Sequence, residues 1–341
     1  MALLLELAVA GALMGTMIGA GFASGQELVQ FFLTLGSGAP AAVVLMTGLL
    51  MTSSFLVRHL ALKWRTASYR DFMIMLLGNW YRPADVAITA FLFGGLAIML
   101  AGAGAVARQY FGWPPLAGIL ACSGLAFLGS LGRGRGVLIL NSLLVPVMLG
   151  IIVLIIGLNW SPATGPLTTV PAGPLVGSNW VLNACLYVTY NMVGIMVLLA
   201  SLPGSRRGTA GAALGGLLLG ILVLLLVQVL GRLPREILVT ELPLLSLVKS
   251  RHPELQGAYA LSLWLAMVTT AASNLYGLAE RLGSSFRLPL PAAVPVLVLA
   301  VPTAGFGFAN LVGLIYPFFG YLGLLLLILV LWRRLLLFMR I

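Results

Sequence analysis

The sequence predicts an all-α polytopic membrane protein. Ten transmembrane helices form a five-plus-five inverted repeat, and helices 1 and 6 are broken. Three observations lead there. Hydrophobic residues make up 61% of the 341 and charged residues 8%, which leaves no polar stretch long enough for a separate soluble domain. Ten apolar runs follow one another at about 3–35, 39–61, 84–110, 114–131, 136–158, 178–202, 209–231, 256–281, 289–307 and 311–337; a membrane-crossing helix needs about 20 apolar residues. Between the fifth and sixth runs, residues 157–179 carry no charge and hold Pro162, Pro166, Pro171 and Pro174. That segment divides the chain into halves of five, and an odd number of spans per half gives the halves opposite orientation. Residues 1–341 therefore read as one transmembrane domain, with repeats at about 1–160 and 175–341.

The first run has no charge across residues 7–26, yet its middle is poor helix. Gly11, Gly15, Gly19, Gly21 and Gly25 crowd one window, and each interior glycine costs about 1 kcal/mol against alanine. Ser24-Gly25-Gln26-Glu27 then spells a capping box, a helix start signal inside a membrane span. The expectation is two half-helices, 3–18 and 25–35, with an unwound joint. Unpaired backbone groups are tolerated in a membrane only where they line a cavity or hold something. Gly11, Gly15 and Gly19, spaced by four, also fit a packing stripe on an unbroken helix. That alternative gives Gly21, Gly25 and the capping box no role. The first run lacks a charged leader region and a cleavage site, so it is expected to be retained.

Two polar segments punctuate the runs. Residues 66–82, with Arg70, Asp71, Phe72, Met75 and Trp80, read as an amphipathic helix lying on the membrane surface. Residues 233–255, with Pro234, Pro243 and Pro253 among alternating charges, read as one or two short helices packed over the bundle. With the N-terminus in the cytoplasm, 14 of the 19 basic residues fall inside: Arg58, Lys63, Arg65, Arg70, Arg82, Arg133, Arg135, Arg206, Arg207, Arg281, Arg287, Arg333, Arg334 and Arg340. Arg108, Arg232, Arg235, Lys249 and Arg251 fall outside. The positive-inside rule thus places both termini in the cytoplasm and the chain in the inner or plasma membrane. The same placement explains the net charge of +11 without a nucleic-acid partner. Cys122 and Cys185 read as small buried hydrophobes.

Two further runs carry polar stripes. In the sixth, Asn183, Tyr187, Tyr190, Asn191 and Gly194 share a helical face, and Thr189-Tyr190-Asn191 is where a break is expected by symmetry with the first. A hydrogen-bonded seam between helices is the alternative. In the eighth, Ser262, Ala266, Thr269, Thr270 and Ser273 line one face. Adjacent hydroxyls can coordinate a hard cation; the alternative is back-bonding of each hydroxyl to the preceding turn.

A broken first span, an inverted repeat and a hydroxyl pair on the eighth span together resemble the LeuT fold of the amino acid–polyamine–organocation superfamily. Gly-Thr-Met-Ile-Gly-Ala-Gly-Phe-Ala-Ser-Gly-Gln-Glu at 15–27 more narrowly resembles the YkvI-like amino-acid permeases. The resemblance implies a sodium ion held by the carbonyls of Gly15, Ile18 and Ala266 and the hydroxyls of Thr269 and Thr270. Some members hold a second sodium through an Asn just after the Gly-x-Gly turn; Phe22 stands there, so that ion is not expected. Proton-coupled members use a Lys on the fifth span; 136–158 has none, which favours sodium.

The substrate site is expected at Gly19, Gly21, Phe22 and Ala23, where the amides of the second half-helix favour a carboxylate. Tyr187, Tyr190, Asn191 and Met99 would wall it. Gly95, Gly102, Ala103 and Gly104 on the third span fit either close helix packing or room for a larger solute. Glu27 has two readings: the capping box, or an outer gate or cation contact paired with Arg108. The function expected is a sodium-coupled symporter of an amino acid or similar small zwitterionic or amine solute, alternating access around a midplane site between helices 1, 3, 6 and 8. A proton-coupled or uncoupled permease of the same fold is the alternative. A channel would need rings of charge or an oligomeric filter, and enzyme motifs such as His-Glu-x-x-His are absent. The partners expected are the solute and the bilayer; no obligate protein partner is evident.

Overall fold

A computed structural model describes residues 2–66, 68–131, 135–161, 165–202, 208–286 and 289–339. Arg133, Arg206, Arg207, Arg287 and Arg340 of the orientation argument, and Pro162 of the linker, lie outside them. Helices fall on all ten apolar runs, and no strand occurs among the described residues. Span 1 comprises Ala2–Met17, Ala20–Ser24 and Gln26–Phe31. Span 2 is Ala39–Trp64, and span 3 is Tyr81–Val106 with a π-helical turn at Ala107–Phe111. Span 4 is Pro115–Leu131 and span 5 is Arg135–Asn159. Span 6 comprises Trp180–Tyr190 and Met192–Ser201. Span 7 is Thr209–Leu230, span 8 Pro253–Phe286, span 9 Pro289–Ala304 and span 10 Phe308–Met339. The two pieces of span 6 meet at a bend of 42°, as the repeat arithmetic requires.

The spans sort into two packed bodies. Spans 1, 2, 6 and 7 pack on one another, and spans 3, 4, 8 and 9 do the same, with span 5 against span 8. Span 10 touches both bodies, through spans 2 and 6 on one side and span 3 on the other.

Span 7 shows why the first body holds together. Its Gly211 and Gly215 pass against the backbone of Glu6 and Ala10 on span 1; its Gly216 and Gly220 pass against Met51 and Thr47 on span 2. A methyl group at Gly215 would lie 2.9 Å from the Ala10 carbonyl oxygen, and one at Gly216 3.0 Å from the Met51 amide. Without a hydrophobic driving force between helices in lipid, such close backbone approach supplies the dispersion energy. Charge completes the joint at the end that carries the termini. The Glu6 carboxylate accepts from the amides of Gly208 (2.7 Å) and Gly211 (2.5 Å) at the positive N-terminus of span 7. The buried Arg58 guanidinium donates to the Leu199 (3.2 Å) and Leu202 (3.1 Å) carbonyls at the negative end of span 6.

The second body is as tight. A methyl at Gly95 would lie 2.7 Å from Asn274, one at Gly102 2.6 Å from Met267, and one at Gly104 3.0 Å from Ile119. The small residues of span 3 are therefore packing surface, which settles the choice left open by sequence.

Both polar segments are helical. Tyr69–Leu77 lies beside spans 2 and 3 at the terminal end, capped by Ser68, whose hydroxyl accepts from the Asp71 amide at 3.2 Å. It buries Phe72, Met73, Leu76 and Leu77 and exposes Arg70 and Asp71. At the opposite end, Arg235–Leu238 and Pro243–Arg251 form the two short helices. The second seats Leu244 and Leu245, both buried, against the broken part of span 1 and against span 8.

Candidate functional site

Span 1 breaks twice rather than once. The first helix ends at Met17, Gly19 is extended (φ −95°, ψ −175°), and a five-residue helix follows at Ala20–Ser24. Gly25 then takes a left-handed conformation (φ 83°), and a third helix runs Gln26–Phe31. A Cβ at Gly25 would be strained by that dihedral and would sit 2.9 Å from Leu244 Cγ. The second half-helix therefore ends near Phe31 instead of 35; residues 33–38 wind as a 3₁₀ turn kinked at Gly36 (φ 54°).

The left-handed residue also overturns the capping box. Ser24 closes one helix instead of opening the next: its hydroxyl donates to the Gly21 carbonyl at 2.6 Å and accepts from the Gln26 amide at 3.1 Å. Glu27 is left free to reach another span. Its carboxylate is 4% exposed, and Oε2 accepts from the Tyr190 hydroxyl on span 6 at 2.5 Å. Oε1 lies against Gly21, in the place a Cβ there would take, and the Tyr316 hydroxyl of span 10 is 3.1 Å from that same point. The aromatic wall is continuous. Tyr190 stacks on Tyr316 (centroids 4.7 Å apart, 6° between planes), meets Tyr187 edge-on at 5.5 Å and stacks on Phe31 at 5.6 Å.

The expected pairing of Glu27 with Arg108 is not made. Arg108, half exposed at the far end of span 3, donates to Glu241 at 2.5 Å; Glu241 also accepts from the Phe308 amide at 3.0 Å. This pair ties span 3 and span 10 to the short helices. Arg108 is held by a nearer acid at the surface, while Glu27 points into the bundle.

The residues expected to hold sodium are only partly brought together. Thr269 is buried on span 8, and its hydroxyl donates to the Ala266 carbonyl at 3.1 Å, the back-bonded arrangement. Ala266 is buried beside it and Thr270 half-buried. Span 8 packs on the short helix Ala20–Ser24, and the Tyr259 hydroxyl donates to the Ala23 carbonyl. On span 1, the Cβ direction of Gly15 points to Val145 of span 5, 3.2 Å away. Ile18 is buried, and its amide is taken by the Met14 carbonyl at 2.8 Å.

The expected substrate residues divide likewise. Gly21, Phe22 and Ala23 are buried within the short helix. The Ala23 amide is used by the Gly19 carbonyl at 2.9 Å, and the protein's own carboxylate stands beside Gly21, where a solute carboxylate was expected. Gly19 faces open space, with no atom within 4 Å of a Cβ placed there. Asn191 sits at the bend of span 6, donating to the Tyr187 carbonyl at 2.9 Å. The Tyr187 hydroxyl is buried, with no hydrogen-bond acceptor or donor in range among the described residues. Met99 is buried on span 3.

A cavity of about 250 Å³ opens between spans 3, 6 and 10 at their terminal half. Met73 and Leu77 of the surface helix, Ile88 and Phe91, Thr189 and Tyr190, and Phe319 and Gly323 line it. Tyr190 is the one expected substrate residue in its wall, on the side bearing the termini. Tyr316 was missed from sequence. A tyrosine directly before Pro317 in a mostly apolar run was the available signal.

No family profile matches the chain. Two relatives from Bacillus subtilis (strain 168) are similar along nearly its whole length. The uncharacterized protein YyaD is 29% identical over 326 residues, covering 93% of each chain. The uncharacterized membrane protein YkvI is 26% identical over 318 residues, covering 91% of this chain and 90% of its own. Among solved structures, Mhp1, a nucleobase-cation-symport-1 family transporter, is similar in two states. The inward-facing conformation has a TM-score of 0.54 at 17% identity, covering 93% of this chain and 73% of Mhp1. The closed conformation with bromovinylhydantoin bound has a TM-score of 0.50 at 16% identity, covering 90% and 73%. The chain thus has the LeuT-like fold, and the fold's representatives here are membrane transporters rather than enzymes.

Proposed function

We propose that this chain is a secondary transporter working by alternating access, coupled to sodium, for an amino acid or similar small zwitterionic or amine solute. The observation that carries the reading is the pair of breaks: span 1 at residues 18–19 and 25, and span 6 at residue 191, adjacent and linked by the Tyr190–Glu27 bond. Broken spans at matching places in an inverted repeat are how such transporters build a midplane site. The two packed bodies supply the moving parts, spans 1, 2, 6 and 7 rocking against spans 3, 4, 8 and 9.

The sodium ion would be held by the carbonyls of Gly15, Ile18 and Ala266 with the hydroxyls of Thr269 and Thr270. The buried Thr269, span 8 packed on the short helix of span 1, and the open space at Gly19 support that assignment. Because the proposed ligands lie on both span 1 and span 8, sodium would draw the end of the first helix towards span 8. The whole chain would act as one domain, with repeats at about 1–160 and 175–341. It would lie in the cell membrane with both termini cytoplasmic, in line with the distribution of basic residues. Kinship with amino-acid permeases of the amino acid–polyamine–organocation superfamily belongs to the same proposal.

Purified protein in vesicles tests it. Uptake of the solute should need an inward sodium gradient and should stop when choline replaces sodium. Thr269→Ala should abolish sodium dependence while costing about 1 kcal/mol of stability, one buried hydrogen bond. Uptake that is indifferent to sodium in the unmodified protein would overturn the coupling.

A further inference from the structure

We propose that Glu27 is a proton-binding site, loaded and emptied through Tyr190 from the cavity at the terminal end. The proposal rests on the alternating-access reading, but not on the sodium site.

The argument starts from an acid with no counter-charge. Glu27 is 4% exposed, and among the described residues it makes no salt bridge. Its helix packs on spans 6, 7 and 10 and on the preceding short helix. The titratable groups turned towards it are Tyr190 and Tyr187 on span 6 and Tyr316 on span 10. Span 7 offers none, its one ionisable neighbour Arg232 being bonded to Gln228 at 3.3 Å; the short helix Ala20–Ser24 contains none. A bare carboxylate at membrane depth is costly unless a cation neutralises it.

Space selects which cation. Tyr190 and Tyr316 stack at 4.7 Å, and the Gly21 backbone closes on Oε1 so tightly that even a methyl group would overlap it. Among the described residues no cluster of metal-ligating side chains surrounds it, and this packing favours the smallest cation. A proton needs no gap. It also has a route, because Tyr190 both lines the 250 Å³ cavity and donates to Glu27. In loading, the phenol proton moves to Oε2, and a hydronium ion that reaches the phenol from the terminal side would return a proton to its oxygen and leave as water. No electrons move, and release is the reverse. The neutral acid would let span 1 and span 6 part during transport without stranding a charge.

Infrared difference spectroscopy of the full-length protein in detergent tests this at equilibrium, with no flux required. The unmodified protein should show a protonated-carboxyl band that fades as pH is raised from mildly acidic to alkaline. Glu27→Gln should lose that band. Tyr190→Phe, which keeps the ring packing, should keep the band and slow its hydrogen–deuterium exchange at least tenfold. Spectra identical in the unmodified protein and Glu27→Gln would overturn the site. A band that disappears on adding sodium at constant pH would make sodium the counter-ion and overturn it too. Unchanged exchange in Tyr190→Phe would overturn the route. Should Glu27→Gln fail to fold, the sodium comparison and Tyr190→Phe still decide. Failure of sodium-driven uptake alone would leave this site intact.

Discussion

The two broken spans reach the same end by different chemistry. Span 1 is broken by backbone: an extended Gly19 and a left-handed Gly25 divide it into three helices, and the Ser24 hydroxyl bridges the second joint between the Gly21 carbonyl and the Gln26 amide. Span 6 is broken by a side chain: Asn191 keeps a right-handed conformation (φ −81°, ψ −11°), and its amide covers the Tyr187 carbonyl at a bend of 42°. A glycine break is written in the sequence and strongly constrained. A polar-residue break is milder, and replacing its residue should cost less. Both spans are therefore interrupted without the interruption being made in the same way.

That contrast can be attacked by substitution, and the largest effect is expected in span 1. Gly25→Val should cost about 3 kcal/mol, from the left-handed dihedral and the collision with Leu244; thermal unfolding in detergent would show it. Gly211→Leu should come next, about 2 kcal/mol, because span 7 can no longer lie on the Glu6 backbone. Equal melting temperatures for Gly211→Leu and the parent would dismiss the close-packed joint between spans 1 and 7. Asn191→Ala should cost about 1 kcal/mol, one hydrogen bond at the bend. If it destabilises as much as Gly25→Val, the two breaks are alike and the contrast is wrong. Arg108→Ala should be smallest, under about 1 kcal/mol, because Arg108 is half exposed; its unfolding curve should nearly superimpose on the parent's.

Local features were legible in the sequence, and distant partnerships were not. The ten runs, the surface helix within 66–82 and the short helices within 233–255 follow from periodicity and charge, which are properties of neighbouring residues. The glycines at 19 and 25 marked the breaks, because few other reasons put so many glycines in one apolar window. Glu27 shows where such reasoning stops. Its nearest sequence partner was Ser24, and its nearest obvious counter-charge was Arg108. The structure instead joins it to Tyr190, 163 residues away, because Gly25 turns the helix by an amount no spacing rule encodes. Tyr316 stands beside Pro317 in the sequence, but its place next to Glu27 comes from the same long-range packing. The paired glycines of span 7, four residues apart, had no role in the sequence reading; only the structure shows them packed on spans 1 and 2.

The most direct test of the account measures the distance between the first body and the second. Spin labels at Leu4 on span 1 and Leu128 on span 4, both exposed at the terminal end, would be placed after replacing Cys122 and Cys185. Sodium, by drawing the first helix towards span 8, should shift the distance distribution to shorter values, and choline should not. One distribution, the same in sodium and choline, would contradict both the movement of the two bodies and the ion that drives it.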